Sequence, residues 1–137
     1  MSEYKKPLPV LQPWSEPFWE GTRAHKLLIQ ECQACGVKIF YPRKACPECW
    51  SSELGWSAAS GRGKVFSHTV TLGGVEAKFA DDLPYVLAMV DLEEGIRMMG
   101  NVVECDPEEV SIGMEVEVVF QQVTDEITLP QWRPVRG

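Results

Sequence analysis

Cys32-Gln33-Ala34-Cys35 and Cys46-Pro47-Glu48-Cys49 set four thiols in two pairs, each with two residues between its sulfurs. A Cys-x-x-Cys turn aims both sulfurs at one centre. Two such turns brought together make a tetrahedral four-thiolate site that suits Zn²⁺. Protein atoms would fill every position on the ion, so it would be structural and closed to water. Iron accepts the same donor set. Paired cysteines can also be disulfides, which belong to secreted chains. Met1–Val10 is polar, carries Lys5, Lys6, Pro7 and Pro9, and lacks the apolar segment of a signal peptide. A thioredoxin-type redox motif usually occurs once, opening a helix after a strand. Two copies ten residues apart fit a metal ribbon better.

The ribbon needs strands to hold its turns. Lys26–Glu31 contains Leu27, Leu28 and Ile29 and leads into the first pair, and Lys38–Pro42 follows it. Gly36 stands just after Cys35, where a turn demands a permissive backbone. Upstream, Ser15-Glu16-Pro17-Phe18-Trp19-Glu20 reads as a helix start, with Ser15 at the N-cap and Pro17 in the first turn. That helix should run to about residue 24 and end or bend near Gly21. So short a helix is unstable alone and must pack, either on this chain's own core or on a partner.

From residue 62 the apolar period changes to two. Val65–Leu72 is rich in β-branched residues and puts Phe66, His68, Val70 and Leu72 on one face. Strands are expected at Pro84–Leu92, Ile96–Val103, Glu115–Gln121 and Ile127–Trp132, with Gly100 marking a bulge or bend. Five strands of this kind fit a small closed barrel of the oligonucleotide/oligosaccharide-binding (OB) kind. A sandwich or an open meander carries a similar pattern.

The chain has 137 residues and a net charge of −7. Residues 1–60 hold seven Lys/Arg and six Asp/Glu, whereas residues 61–137 hold six and fourteen. Arg23, Lys26, Lys38, Arg43 and Lys44 surround the cysteine module, opposed between positions 23 and 44 only by Glu31. The acidic half would repel nucleic-acid phosphates. No stretch approaches the roughly 20 apolar residues that span a bilayer. A soluble, cytoplasmic protein is expected, and reduced thiols held for a metal agree with that compartment.

Several segments in order resemble a known family: Phe18-Trp19-Glu20-Gly21, the two cysteine pairs, Tyr41-Pro42-Arg43, Trp56, Ser60-Gly61-Arg62-Gly63-Lys64-Val65, Pro84-Tyr85, Leu92–Arg97 and Ile112-Gly113. Together, over roughly residues 15–132, they resemble the zinc-ribbon/OB-fold accessory proteins associated with acyl-CoA metabolism, long labelled a domain of unknown function. The resemblance implies a mostly β architecture of N-terminal helical segment, rubredoxin-like zinc ribbon and five-stranded OB-fold barrel. The segments would be residues 1–25, 26–58 and 59–137. It implies a non-catalytic zinc-binding subunit, with Cys32, Cys35, Cys46 and Cys49 as ligands, partnered by a thiolase-like catalytic subunit. A heterotetramer with two copies of each chain is expected. Steroid side-chain aldolases or hydratases are the alternative partners. The family commonly has glycine after its last zinc cysteine, where this chain has Trp50.

Independent chemistry is sparse. Thiolase chemistry needs a nucleophilic cysteine near a base, and the histidines are His25 and His68 alone. His68 lies on an apolar strand face and reads as a hydrogen-bonded core residue. Cys105 reads as a small buried hydrophobe. Asp81-Asp82 and Glu93-Glu94 read as solvated loops. The active-site cysteine would come from another chain. Coenzyme A offers phosphates and an adenine, which call for Lys/Arg and an aromatic surface. Lys38, Phe40, Tyr41, Arg43 and Lys44 are the candidates to meet the nucleotide end of a CoA thioester; the alternative is that Arg43 and Lys44 neutralise the thiolates or lie in solvent. Trp14, Phe18, Trp19, Trp50 and Trp132 are candidates for contacts with the partner, some of them necessarily core. A single-stranded nucleic-acid-binding OB protein is a further alternative, which the acidic barrel half opposes. A pure scaffold that only stabilises its partner is another.

Overall fold

Helix α1, Glu16–Arg23, begins after a 3₁₀ turn at Pro13–Ser15 in a computed structural model that describes residue 4 and residues 6–136. Ser15 occupies the N-cap position, but its hydroxyl donates to the Gln12 carbonyl and does not cap the helix. Pro17 lies in the first turn, where its missing N–H is no loss. Gly21 does not end the helix. It lies inside it, and a methyl group there would sit 2.9 Å from Leu28 Cγ and 3.0 Å from the Lys26 carbonyl oxygen. The glycine lets the following strand pass close. The helix ends two residues later, at Arg23, and a turn closes it: Lys26 N–H bonds the Gly21 carbonyl and His25 N–H bonds the Thr22 carbonyl. His25, at φ 61, takes the left-handed position of this Schellman cap.

Three strands form the ribbon: β1 (Leu28–Cys32), β2 (Lys38–Ile39) and β3 (Leu54–Ala58). Their order is β2-β1-β3, all antiparallel. Five more close the barrel: β4 (Arg62–Thr71), β5 (Tyr85–Leu92), β6 (Arg97–Val102), β7 (Glu115–Gln122) and β8 (Thr128–Pro134). The order β4-β5-β6-β8-β7 returns to β4, with β6 and β8 parallel. Closure removes the exposed edges that an open sheet would have. The expected mostly β architecture of helix, ribbon and five-stranded barrel is therefore the one found.

Two local expectations fail. Gly100 pairs regularly with Ala88, and no bulge occurs there. The side chain it lacks would crowd the Trp132 indole at 3.1 Å, so Gly100 makes room for that ring. The irregularity is instead in β4, where Val65 faces Val90 and Ser67 faces Met89. Phe66 is the extra residue. It moves to the outer surface, 48% exposed, while Val65 points in. The shared face expected for Phe66, His68, Val70 and Leu72 is thus broken, and Leu72 is exposed beyond the strand end.

One core runs from α1 through β1 into the barrel. Phe18, Leu27 and Ile29 pack in the same buried cluster as Val65, Val90 and Trp132. The helix packs on this chain's own core. A smaller cluster of Cys32, Ile39 and Cys46 lies beneath the cysteine turns. Barrel and helix meet again where His25 stacks on Phe120, ring centroids 5.2 Å apart.

Candidate metal centre

The two cysteine turns are built alike. In the first, Gly36 N–H donates to the Cys32 carbonyl and Cys32 N–H to the Val37 carbonyl, both at 2.9 Å. In the second, Trp50 N–H donates to the Cys46 carbonyl and Cys46 N–H to the Ser51 carbonyl, again at 2.9 Å. Gly36 has φ +80 and Trp50 has φ 66. Trp50 therefore stands in the backbone position that glycine fills in the other turn.

These turns gather Cys32, Cys35, Cys46 and Cys49 with all four sulfurs within 4.8 Å of one another. Cys32 and Cys49 sulfurs are 3.6 Å apart, as are those of Cys35 and Cys46. Four sulfurs about 2.3 Å from a tetrahedral zinc would be about 3.8 Å from each other, so the donor set fits. Backbone N–H groups of Cys35 and Glu48 point at the sulfurs of Cys32 and Cys46 at 3.4 and 3.3 Å, stabilising thiolate charge. Without an ion the four sulfurs compete. The Cys35 N–H brings the Cys32 thiol down to about 7. At Cys35 the Val37 N–H pulls the same way, but burial and the neighbouring sulfurs win and push it up to about 12.

Buried Gln30, which no sequence motif marks, holds the ribbon beside this site. Its amide donates to the Arg43 carbonyl at 2.9 Å and accepts from Arg43 N–H at 2.8 Å. A glutamine among Leu28, Ile29 and Cys32 was the available signal, because a polar side chain buried in a strand needs a partner.

The five residues considered for CoA do not share one environment. Lys38 lies 3.7 Å from Glu31. Phe40 is half-buried between Phe18 and Tyr41, and packs against the main core. Tyr41 is 58% exposed. Lys44 rests over the Trp14 ring at 4.5 Å, and Arg43 is exposed. The aromatic candidates also divide. Phe18 is buried in this chain's own core, and Trp132 is fully buried in the barrel, which corrects their reading as partner contacts. Trp19 is half-buried, edge-on to Phe18 at 5.0 Å. Trp14 is half-buried beneath Lys44, and Trp50 is 81% exposed.

No acid–base–nucleophile set forms among the described residues. Burial pushes the Cys105 thiol up, Glu109 and Asp106 add to this and Arg136 opposes it, which leaves a poor nucleophile at neutral pH. His68 Nδ1 is buried with no hydrogen-bond partner among the described residues, unlike the bonded histidine expected. Glu94 does not lie in a free loop: its carboxylate accepts from Ser60 N–H at 2.8 Å where the ribbon joins the barrel. Among the described residues no helix is long and apolar enough to cross a membrane.

The ChsH2 rubredoxin-like zinc ribbon matches residues 19–55, and the ChsH2 C-terminal OB-fold domain matches residues 56–121. A DUF35 domain-containing scaffold protein of Methanocaldococcus jannaschii is 40% identical over 110 residues, covering 79% of this chain and 77% of that protein. The chain belongs to the ChsH2/DUF35 family. A probable enoyl-CoA hydratase alpha subunit of Thermomonospora curvata is 33% identical over 94% of this chain, which spans only 40% of that protein's length. The benzoylsuccinyl-CoA thiolase subunit BbsA of Thauera aromatica is 30% identical over 75% of this chain and 69% of that protein. Among solved structures, an Ltp2-ChsH2(DUF35) aldolase superposes with TM-score 0.83 at 33% identity, covering 93% of this chain and 98% of that one. The relatives are thus named as a scaffold protein, a hydratase alpha subunit, a thiolase subunit and a chain of an aldolase.

Proposed function

We propose that this chain is a non-catalytic zinc-binding subunit of a thiolase-type acyl-CoA enzyme complex. Cys32, Cys35, Cys46 and Cys49 hold Zn²⁺, which fixes the ribbon and does no chemistry. The catalytic cysteine comes from the partner, which cleaves a carbon–carbon bond of a CoA thioester. One observation carries this reading: relatives of this ribbon–barrel unit are named as scaffold, thiolase subunit and hydratase alpha subunit.

Arg43, Lys44 and Tyr41 are exposed on the ribbon and would meet the nucleotide end of CoA, with Lys38, held against Glu31, as a further cation and Phe40 against Tyr41 as its support. Guanidinium and ammonium groups suit its phosphates, and the phenol ring suits its base. Trp14, Trp19 and Trp50 remain for the catalytic chain, and two copies of each chain would make a heterotetramer. Purifying the chain with its natural partner, then identifying that partner by mass spectrometry, tests the assignment. A thiolase-type chain is expected. Reversing charge at Arg43 and Lys44 should raise the apparent KM for acyl-CoA in the complex, and an unchanged KM removes the ribbon from CoA binding.

An aldolase or hydratase partner is the second reading, favoured by the superposition on the aldolase DUF35 chain over almost its whole length. The same purification separates the two. Nucleic acid is disfavoured by the barrel's excess of acids and by an outer face bearing Leu87 and Met99.

A further inference from the structure

The outer wall of β4, β5 and β6 carries apolar side chains where the surface of a barrel is ordinarily polar. Met89 and Met99 are directly opposite across β5 and β6. Leu87 lies two residues along the same face, and the β4 bulge delivers Phe66 beside them. Phe66, Leu87 and Met99 are 48%, 36% and 47% exposed. One end of this strip is fixed. Arg97 lies 3.5 Å from the Phe66 ring centroid and bonds Asp91 at 2.6 Å, so its charge is satisfied within the wall. The other end runs into a cleft of about 910 Å³ that Leu87, Tyr85 and Phe79 share with the amides of Asn101, Gln121 and Gln131. The cleft opens where β6 and β8 pair through Val102 and Trp132, beside the bond from Val103 N–H to the Trp132 carbonyl.

We infer that the Phe66–Leu87–Met89–Met99 strip and the cleft it enters seat a segment of the catalytic chain, apolar along the strip and basic or uncharged at its flanks. This rests on the proposed accessory role. Contiguous exposed apolar surface marks contact sites, and methionines adapt to a partner's shape. Charge selects the partner. Residues 61–137 carry fourteen Asp/Glu against six Lys/Arg, and at the cleft itself Asp81, Asp82 and Glu104 stand against Lys6 and Lys78, with Lys6 paired to Asp82. A second copy of this chain would bring the same negative field to the contact, whereas a base-flanked segment completes it. Asn101 and Gln131 already donate to the Val86 carbonyl and to Gln121 Oε1, at 2.9 and 2.8 Å, and their own carbonyl oxygens suit peptide N–H groups. The position agrees with the architecture, since OB barrels take ligands on the face of their second and third strands beside the first connecting loop. Here those parts are β5, β6 and the connection that contains Phe79.

The test is a double substitution, M89E/M99E, in the full chain purified with its catalytic partner. Both residues lie on the outer face, so zinc content and the far-UV spectrum should stay as in the parent. Recovery of the catalytic chain should fall at least tenfold. In the unsubstituted complex, backbone amides of residues 97–102 should exchange more slowly than in the isolated chain. Full recovery together with unchanged exchange overturns the inference while leaving the accessory role standing. A parent chain that retains no CoA-thioester enzyme overturns that role and the inference with it. A dimer of the isolated chain that M89E/M99E dissolves assigns the strip to self-association and also overturns it.

Discussion

Gln30 imitates a strand for Arg43. Its side-chain amide, 3% exposed, takes both backbone bonds of that residue, 2.8 Å from the N–H and 2.9 Å to the carbonyl. Arg43 belongs to no strand, so this pairing is what fastens the segment between β2 and the second cysteine turn to β1. Gln30→Leu should destabilise the ribbon by about 1–3 kcal/mol, the penalty of stranding a buried backbone polar group. Gln30→Glu separates the two bonds. An ionised carboxylate accepts from the Arg43 N–H but repels its carbonyl, whereas a protonated one can serve both. The folded-state pKa of the introduced carboxyl is therefore raised. Its penalty is full above that pKa and fades as pH falls toward the unfolded value. Urea unfolding of both variants at several pH values should show the carboxyl variant gaining on the leucine variant as pH drops. Using the leucine variant as reference cancels the metal's own pH dependence.

Gly21 makes the opposite kind of prediction, because intrinsic propensity favours replacing it. Alanine is better than glycine in a helix by about 1 kcal/mol. The added methyl would nevertheless meet the Lys26 carbonyl oxygen at 3.0 Å, a backbone atom held by the Schellman turn, and Leu28 Cγ at 2.9 Å. Overpacking of this kind costs about 1–3 kcal/mol, so Gly21→Ala should lower the thermal midpoint. Gly36→Ala probes a different mechanism, since nothing lies within 4 Å of the added methyl and only its φ of +80 opposes it. Its loss should appear without any change in the packing of Leu28, which nuclear magnetic resonance of the Leu28 methyls can check.

Much of this was legible in the chain itself. The metal module is written in local spacing, since a Cys-x-x-Cys turn needs only four residues to aim two sulfurs. The barrel strands are written in alternation, and β5 and β7 lie close to where alternation puts them. What could not be read depends on non-local geometry. Phe66 looks inward by period two, and only its pairing with β5 shows that Val65 takes the inward place. Gly100 looks like a bend until Trp132, thirty-two residues away, is found against it. Gln30 looks like an ordinary strand residue until Arg43 arrives. Trp132 and Phe18 look like exposed aromatics for a partner because composition does not say which aromatics the core claims.

Removing the metal should separate the two parts of the molecule. The cluster beneath the cysteines consists of Cys32, Ile39 and Cys46, with Val37 and Leu54 at its edge, too little apolar surface to hold the two cysteine turns and β2, whereas Ile29 of β1 and Trp56 of β3 pack on the main core. The barrel has its own closed ladder and the larger core. A strong chelator at neutral pH should therefore release one zinc per chain from the four-cysteine site and abolish exchange protection at the turn amides of Gly36, Cys46 and Trp50. Protection at residues 86–90 should survive. Zinc should restore the ribbon and magnesium should not, because thiolates are poor ligands for a hard cation. Equal loss in both regions would show that the barrel leans on the metal after all.

Trp50 should trade stability against binding. Its backbone holds a left-handed φ of 66 in the position that Gly36 occupies in the sister turn, while its ring stays 81% exposed and contributes little to the core. A non-glycine residue in that region is disfavoured by about 1–2 kcal/mol. Glycine gives back part of the difference through its freer unfolded chain. Trp50→Gly should thus raise the zinc-bound ribbon's stability by up to about 1 kcal/mol. Trp50→Ala keeps the strain and removes only the ring, so it should leave stability near the parent. If the exposed indole anchors the catalytic chain, both variants should weaken the complex at least tenfold, within the range of a buried tryptophan hot spot. Titration calorimetry with the purified catalytic chain measures the binding, and urea unfolding measures the stability. Full affinity in both variants would leave the strained tryptophan without a role at the interface.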